Sequence, residues 1–137
     1  MTQNAKRKLT LVGCALVLCL PMLLATSPAV AFSDADLAKL KSGHACAKCN
    51  LEKANLTGVD LSGVDLTRAN LIEAALDRAN LSKADLSGAF LRSANVTGAT
   101  LINANLTRAN LTGADLRKAN LEKANLDDAD LTGANLD

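Results

Sequence analysis

The sequence predicts an all-β solenoid, a chain wound into stacked coils, preceded by one short capping helix. Leucine recurs at every fifth residue across residues 49–137, and no insertion breaks this register. Apolar residues make up 49% of the 137 residues, yet aromatic residues make up 1%. A core without aromatic side chains must be narrow and filled by aliphatic and small ones, which excludes an ordinary mixed core.

The period of five residues is what predicts the coil. On an α-helix, five residues advance about 500°, so successive leucines would occupy every side of the helix. On a flat strand, side chains alternate, so leucines five residues apart would point to opposite sides. All leucines can share one interior only when each short extended piece ends in a turn. Six of the seven glycines beyond residue 31 stand at the end of a unit, where a turn needs backbone freedom.

Each repeat unit has a small residue, then Asn or Asp, then Leu, then two variable residues, as in the unit 54–58. There are 17 complete units and a four-residue eighteenth, and the central residue is Leu in 17 of the 18. The first residue is Ala in 15 units and the second is Asn or Asp in 15. The departures at the second position are Ala75, Phe90 and Thr100. Because the first and third residues are two apart, they share the inward side, and the other residues face outward or form the turn.

These units resemble those of the pentapeptide-repeat family, and the resemblance covers residues 49–137 without a break. It implies a right-handed quadrilateral β-helix with four units per coil. Four units are 20 residues, so these 89 residues would form about 4.5 coils. The handedness and the square section are expectations from the resemblance, whereas the inward Leu and Ala follow from the pattern.

Residues 1–31 have the order of a secretory signal. Three basic residues at positions 6–8 precede an apolar stretch, and small residues at positions 29 and 31 precede Phe32. We expect cleavage after Ala31 and export to the periplasm or a thylakoid lumen, leaving no membrane segment in the mature chain. An uncleaved membrane anchor and lipidation at Cys14 are the alternatives. The resulting domain organisation is a signal peptide at 1–31, a helical cap with a linking segment at 32–48, and the β-helix at 49–137.

Residues 33–43 predict a short helix that covers the first coil. Ser33 or Asp34 can cap its start, and Gly43 can end it. Leu37 and Leu40 are three residues apart and share a face, which we expect to shield the core leucines and the unpaired edge of the first coil.

Cys46 and Cys49 lie between the predicted cap and the predicted coil, and three interpretations stay open. Export favours a disulfide bond that joins the cap to the first unit. Two reduced structural thiols are the alternative, since Cys49 stands where other units have the inward Ala. A redox or metal role is the third, although only His44 is available nearby as a further ligand, and zinc takes four ligands.

The sequence has no pattern typical of an enzyme, a cofactor site, a metal site or a nucleic-acid-binding surface. His44 is the only histidine, and the 15 basic and 14 acidic residues give a net charge of +1. Such a balance is unlike that of nucleic-acid-binding domains. We therefore expect a non-enzymatic structural or protein-interaction module with no cofactor and an unidentified protein partner. Like charges on Asp127, Asp128, Asp130 and Asp137 favour a monomer over an end-to-end dimer.

Ile72, Ala75 and Phe90 form the candidate partner contact. With four units per coil, residues 20 apart stack, which places Phe90 outside, in the row of Asn50, Asn70 and Asn110. Ile72 lies on the same side, and Ala75 lies just beyond the turn. Isolated apolar residues tolerated on a polar wall are the alternative, and Ile102 on the opposite side is an example.

Overall fold

The computed structural model describes residues 32–137, so the predicted signal peptide and its cleavage site lie outside the described residues. One helix, α1, spans Asp34–Lys41. Ser33 is its N-cap, and the Ser33 hydroxyl accepts a hydrogen bond from the N–H of Asp36 at 3.3 Å. Acidic residues occupy the first turn of α1 and lysines the last, which complements the helix dipole. No helix within residues 32–137 has the length and apolar content to cross a bilayer.

The rest of the described chain is wound into stacked coils, and each unit pairs with the unit twenty residues later. Parallel bridges join Asn50 to Asn70, then each later unit to its counterpart one coil on, ending with Asp115 and Asn135. Each bridge involves one residue per unit, and residues 32–137 contain no longer strand. Twenty residues are four units, so the coil has four sides. We call them faces 1 to 4; they begin with units 49–53, 54–58, 59–63 and 64–68, and each continues every twenty residues.

The interior of the coil is a stack of leucine and alanine side chains. Leu86 is 0% exposed and Leu106 is 1% exposed. Every central residue of the units from Leu51 to Leu116 is at most 2% exposed. Among the described residues, no polar or charged side chain is fully buried. The predicted inward placement of Leu and Ala is therefore confirmed. In the last coil, Leu121, Leu126 and Leu131 are half-buried and Leu136 is 54% exposed.

The backbone hydrogen bonds explain why a unit has five residues of these types. In unit 69–73, the first N–H bonds to the preceding Leu carbonyl at 3.0 Å, closing the turn. The second N–H bonds to the coil before at 2.9 Å, and the third and fifth bond to the coil after at 2.8 and 3.0 Å. The fourth N–H, of Ile72, bonds to the side-chain oxygen of Asn70 at 3.2 Å. The Asn or Asp thus supplies the one acceptor that the backbone does not.

The last residue of every complete unit lies in the left-handed backbone region, with φ between +55° and +68°. Six of these residues are glycine, as the sequence predicts, but eleven carry side chains, among them Arg68, Lys83 and Asn103. A left-handed conformation costs a residue with a Cβ about 1–2 kcal/mol. The turn hydrogen bond closes around this residue, and in most units its N–H also bonds to a carbonyl of the next coil, so the conformation is retained despite its cost.

The helical segment takes the place of a preceding coil on face 1. Leu40 is 2% exposed, and Phe32 and Leu37 pack partly buried against the core. The Asp36 carboxylate accepts a hydrogen bond from the N–H of Asn50 at 2.8 Å. The N–H of Ser33 donates to the carbonyl of Asn50 at 3.0 Å. The N–H and the carbonyl of Asn50 are thus satisfied by the helical segment, whereas those of Asn70, one coil later, bond to the coil before.

The repeat backbone begins at Cys46, three residues before the boundary predicted at Cys49. The N–H of Cys46 bonds to Asp65 O at 2.7 Å, and the N–H of Lys48 bonds to Thr67 O at 2.8 Å, as in the units that follow. Lys48 has the φ of +60° found at the end of a unit. Cys46 therefore occupies a leucine position, which the sequence pattern hid because cysteine replaces the leucine.

Candidate functional site

The candidate site is an outward surface of face 1 in the middle of the coil, which we call the Phe90 surface. It consists of Ile72, Phe90 and Arg92, with Ala75 at the start of face 2. Phe90 is 47% exposed and pairs through its backbone with Asn70 and Asn110. Ile72 and Ala75 are half-buried. The structure places all three predicted residues on the outside, and their contact with a partner stays a prediction.

Phe90 interrupts a row of asparagines on face 1. The Asn70 side-chain amide donates to Asn50 Oδ1 at 3.1 Å and to Glu52 Oε2 at 3.3 Å. Similar bonds join Asn80 to Asp60 at 3.0 Å on face 3. At Phe90 the side chain offers no amide, so the row cannot continue from Asn70 to Asn110.

Phe90 also leaves its own turn without a side-chain acceptor. In the fifteen units with Asn or Asp at the second position, the side-chain oxygen accepts a hydrogen bond from the N–H two residues later. Ala75, Phe90 and Thr100 do not make this bond. Within residues 32–137, the N–H of Arg92 has no protein acceptor.

The Arg92 guanidinium is exposed and makes no ion pair with the described residues. Three other arginines of the described coil do, among them Arg108, which lies 3.4 Å from Asp128, and Arg117, which lies 2.6 Å from Asp115, whereas Arg68 does not. The Phe90 surface thus combines an aromatic ring, a cation without an ion-pair partner among the described residues and, on the same exposed residue, a backbone N–H without a protein acceptor. Such a combination can bind a group that is both apolar and hydrogen-bond accepting.

Unit 114–118 shows what an Asp at the Phe90 position would do. Asp115 accepts hydrogen bonds from the N–H of Arg117 at 3.1 Å and from Arg117 Nε at 2.9 Å and Nη2 at 2.6 Å. The guanidinium first, and the N–H second, lower the pKa of Asp115 to about 2. The same contact raises the pKa of Arg117. One carboxylate thus satisfies both the turn and the arginine.

Cys46 and Cys49 form a disulfide bond that spans the first turn of the coil. They are 0% and 3% exposed, and they occupy the inward central and inward small positions on either side of the turn. Buried sulfur atoms are shielded from thiols in solution, so this geometry suits a structural cross-link. No group of three metal-ligating side chains exists within residues 32–137. His44 lies nearby, where its Nδ1 is 2.7 Å from the Ser42 hydroxyl.

Sequence reasoning missed Arg92 and the core position of Cys46. Arg92 could have been found, because it stands two residues after a departure from Asn or Asp. Finding it would have required knowing that the Asn or Asp side-chain oxygen accepts a hydrogen bond from the N–H two residues later, which the structure shows.

Comparison with known proteins places the coil among solved solenoids. The family model for pentapeptide repeats matches eight copies, over residues 46–82, 74–113 and 104–137. A pentapeptide repeat protein from the thylakoid lumen of Arabidopsis thaliana is 40% identical, with a TM-score of 0.58, over 58% of this chain and 55% of that one.

HetL of the cyanobacterium Nostoc, a pentapeptide repeat protein involved in heterocyst differentiation regulation, is 36% identical, with a TM-score of 0.53. That match covers 66% of this chain and 52% of HetL. The chain therefore matches about half the length of both proteins. A comparison with curated proteins finds no match. The matched structures imply that the coil is a right-handed quadrilateral β-helix.

Proposed function

Since the chain belongs to the pentapeptide-repeat family, we propose that it is a non-enzymatic protein-interaction module whose partner contacts the Phe90 surface. The observation that supports this most directly is Phe90 itself. This residue is 47% exposed at a position where fifteen of eighteen units have a hydrogen-bonding Asn or Asp.

Phe90 has a cost for the folded chain that a partner would offset. A turn hydrogen bond contributes about 0.5–1.5 kcal/mol, and unit 89–93 lacks it. The exposed half of the ring also stays in water unless something covers it. Residues that break a local rule of their fold without a structural benefit are those where binding is expected.

We also propose that the protein works in an exported compartment, a periplasm or a thylakoid lumen. The charged, apolar and small-residue order of residues 1–31 supports this, as does the Cys46–Cys49 disulfide, because such bonds persist in oxidising compartments. The Arabidopsis relative, itself from the thylakoid lumen, adds to this support.

The test is capture of partners from an extract of the native compartment with the exported full-length protein. We expect Phe90→Asn to lose the captured protein while keeping the fold, because Asn restores the unit found elsewhere. The matched control is Thr100→Asn, which restores the same unit on face 3 and leaves face 1 unchanged. Equal capture by wild type and Phe90→Asn would exclude the Phe90 surface as the contact, and capture of no partner by either protein would leave a purely structural module.

A further inference from the structure

We infer that the Phe90 surface selects a partner segment that presents an Asp or Glu side chain next to an apolar one. The partner carboxylate accepts the hydrogen bond from the N–H of Arg92 and pairs with its guanidinium. The apolar neighbour covers the exposed half of Phe90. This inference rests on the proposed function and names the chemistry of the partner.

The template for this contact is inside the protein. In unit 114–118 an aspartate and an arginine stand two residues apart, and the carboxylate lies 3.1 Å from the N–H and 2.6 Å from the guanidinium of Arg117. Unit 89–93 has the arginine at the same position, but Phe90 replaces the aspartate. The donors of Arg92 therefore correspond to those of Arg117, which Asp115 satisfies one coil later on the neighbouring face. An external carboxylate is the group that completes them.

The other two units that lack Asn or Asp do not offer this combination. After Ala75, the residue at the arginine position is Asp77, whose carboxylate accepts from the Thr57 hydroxyl at 2.8 Å and lies 3.2 Å from Arg78. A second carboxylate would be repelled there. After Thr100, the corresponding residue is Ile102, which has no charge. Among the described units, only unit 89–93 has both a turn N–H without a protein acceptor and a cationic side chain on the same residue.

The surroundings leave the positive charge of Arg92 available. In the bridged row, Phe90 lies between Asn70 and Asn110, which are neutral. Glu73 belongs to the preceding coil on the same face, and its carboxylate lies 3.7 Å from the Lys53 ammonium. Arg92 thus supplies charge complementarity to an acidic segment, and Phe90 supplies the apolar contact.

The test is selection of random peptides displayed on phage against the immobilised full-length protein, followed by affinity measurements on the enriched peptides. We expect Phe90-dependent peptides to carry Asp or Glu beside a large apolar residue. Replacing that acid with Asn or Gln should weaken binding about tenfold at low salt, and less at high salt, because salt screens the exposed pair. Arg92→Gln keeps the N–H and removes the charge, and should produce a similar loss.

Phe90→Asp is the most direct test, because it recreates the arrangement of unit 114–118. The new carboxylate would accept from the N–H and the guanidinium of Arg92 in place of a partner carboxylate. It should abolish peptide binding and slow hydrogen exchange of the Arg92 amide, and Phe90→Asn should do both without adding charge. Phe90-dependent peptides that lack an acid would overturn the inference and leave the proposed function standing. Selection that yields no Phe90-dependent peptide would overturn both. Circular dichroism like that of wild type shows that each variant keeps its coil.

Discussion

Replacement of Phe90 by Asn or by Ala separates the hydrogen bond missing from unit 89–93 from the packing of the ring. Both substitutions remove the same aromatic side chain. Asn adds an oxygen that can accept from the N–H of Arg92, as Asn70 does for Ile72 at 3.2 Å. Its amide can also continue the row in which Asn70 donates to Asn50 at 3.1 Å. Ala adds neither group.

The magnitudes follow from the exposure of Phe90 and from the turn bond. Full burial of a Phe side chain contributes about 1.5–3 kcal/mol, so a side chain that is 47% exposed contributes about half of that. The new hydrogen bond contributes about 0.5–1.5 kcal/mol. The two effects nearly cancel in Phe90→Asn, which we expect to be within about 1 kcal/mol of wild type. Phe90→Ala loses the packing alone and should be about 1 kcal/mol less stable than Phe90→Asn.

Urea unfolding followed by far-ultraviolet circular dichroism measures this difference, since the chain has no Trp or Tyr for fluorescence. Hydrogen exchange of the Arg92 amide provides a local readout, which should slow in Phe90→Asn and stay fast in Phe90→Ala. Equal free energies of unfolding for the two variants, together with unchanged Arg92 exchange, would refute the role given to the second residue of the unit.

Three further predictions address the core, the turns and the acid dependence of stability. Leu86→Ala should lower the free energy of unfolding by about 2–5 kcal/mol, because the cavity stays inside the coil. The control Leu136→Ala, at a residue 54% exposed, should cost about 1 kcal/mol or less, and equal costs in urea unfolding would contradict the inward placement of Leu86. Gly63→Ala should cost about 1 kcal/mol through its φ of +67° alone, since an added Cβ meets nothing within 4 Å; a thermal melt showing a gain would count against that turn. The folded pKa of Asp115 lies near 2, below its ordinary 3.8, so its contribution to stability is present above pH 3.8 and is lost as the pH falls towards 2. Asp115→Asn keeps the turn acceptor, so its melting temperature should fall less over that range, whereas parallel decline of both proteins would show that Asp115 is not responsible.

The inward and outward sides of the coil could be predicted from the sequence because the pattern has one physical solution. Leu86 and Leu106 are buried and Phe90 is exposed, as the five-residue period requires. The confirmed family membership follows from the same period. The signal peptide lies outside the described residues, and the oligomeric state stays a prediction.

The start of the coil and the nature of the turns could not be predicted from the pattern. Cys46 fills a leucine position, which shows only when its N–H is seen bonded to Asp65 O. Residues such as Arg68 adopt a left-handed conformation that their propensity disfavours, because the turn and the bond from the Arg68 N–H to the Ser87 carbonyl of the next coil hold it there.

By itself, the sequence determined that leucines and alanines share an interior and that the chain must turn once in every five residues. Neither a helix nor a flat strand could bury leucines that are five residues apart on one side. Only the tertiary structure decided which donors of each unit are satisfied, since the partners of three of the five N–H groups lie in other coils. The significance of Arg92 depends on that account. The N–H of Arg92 has no protein acceptor because Phe90 replaces the Asn or Asp whose side-chain oxygen accepts this bond in other units. That role of the Asn or Asp can be recognised only once the acceptors of the other four N–H groups of a unit are known.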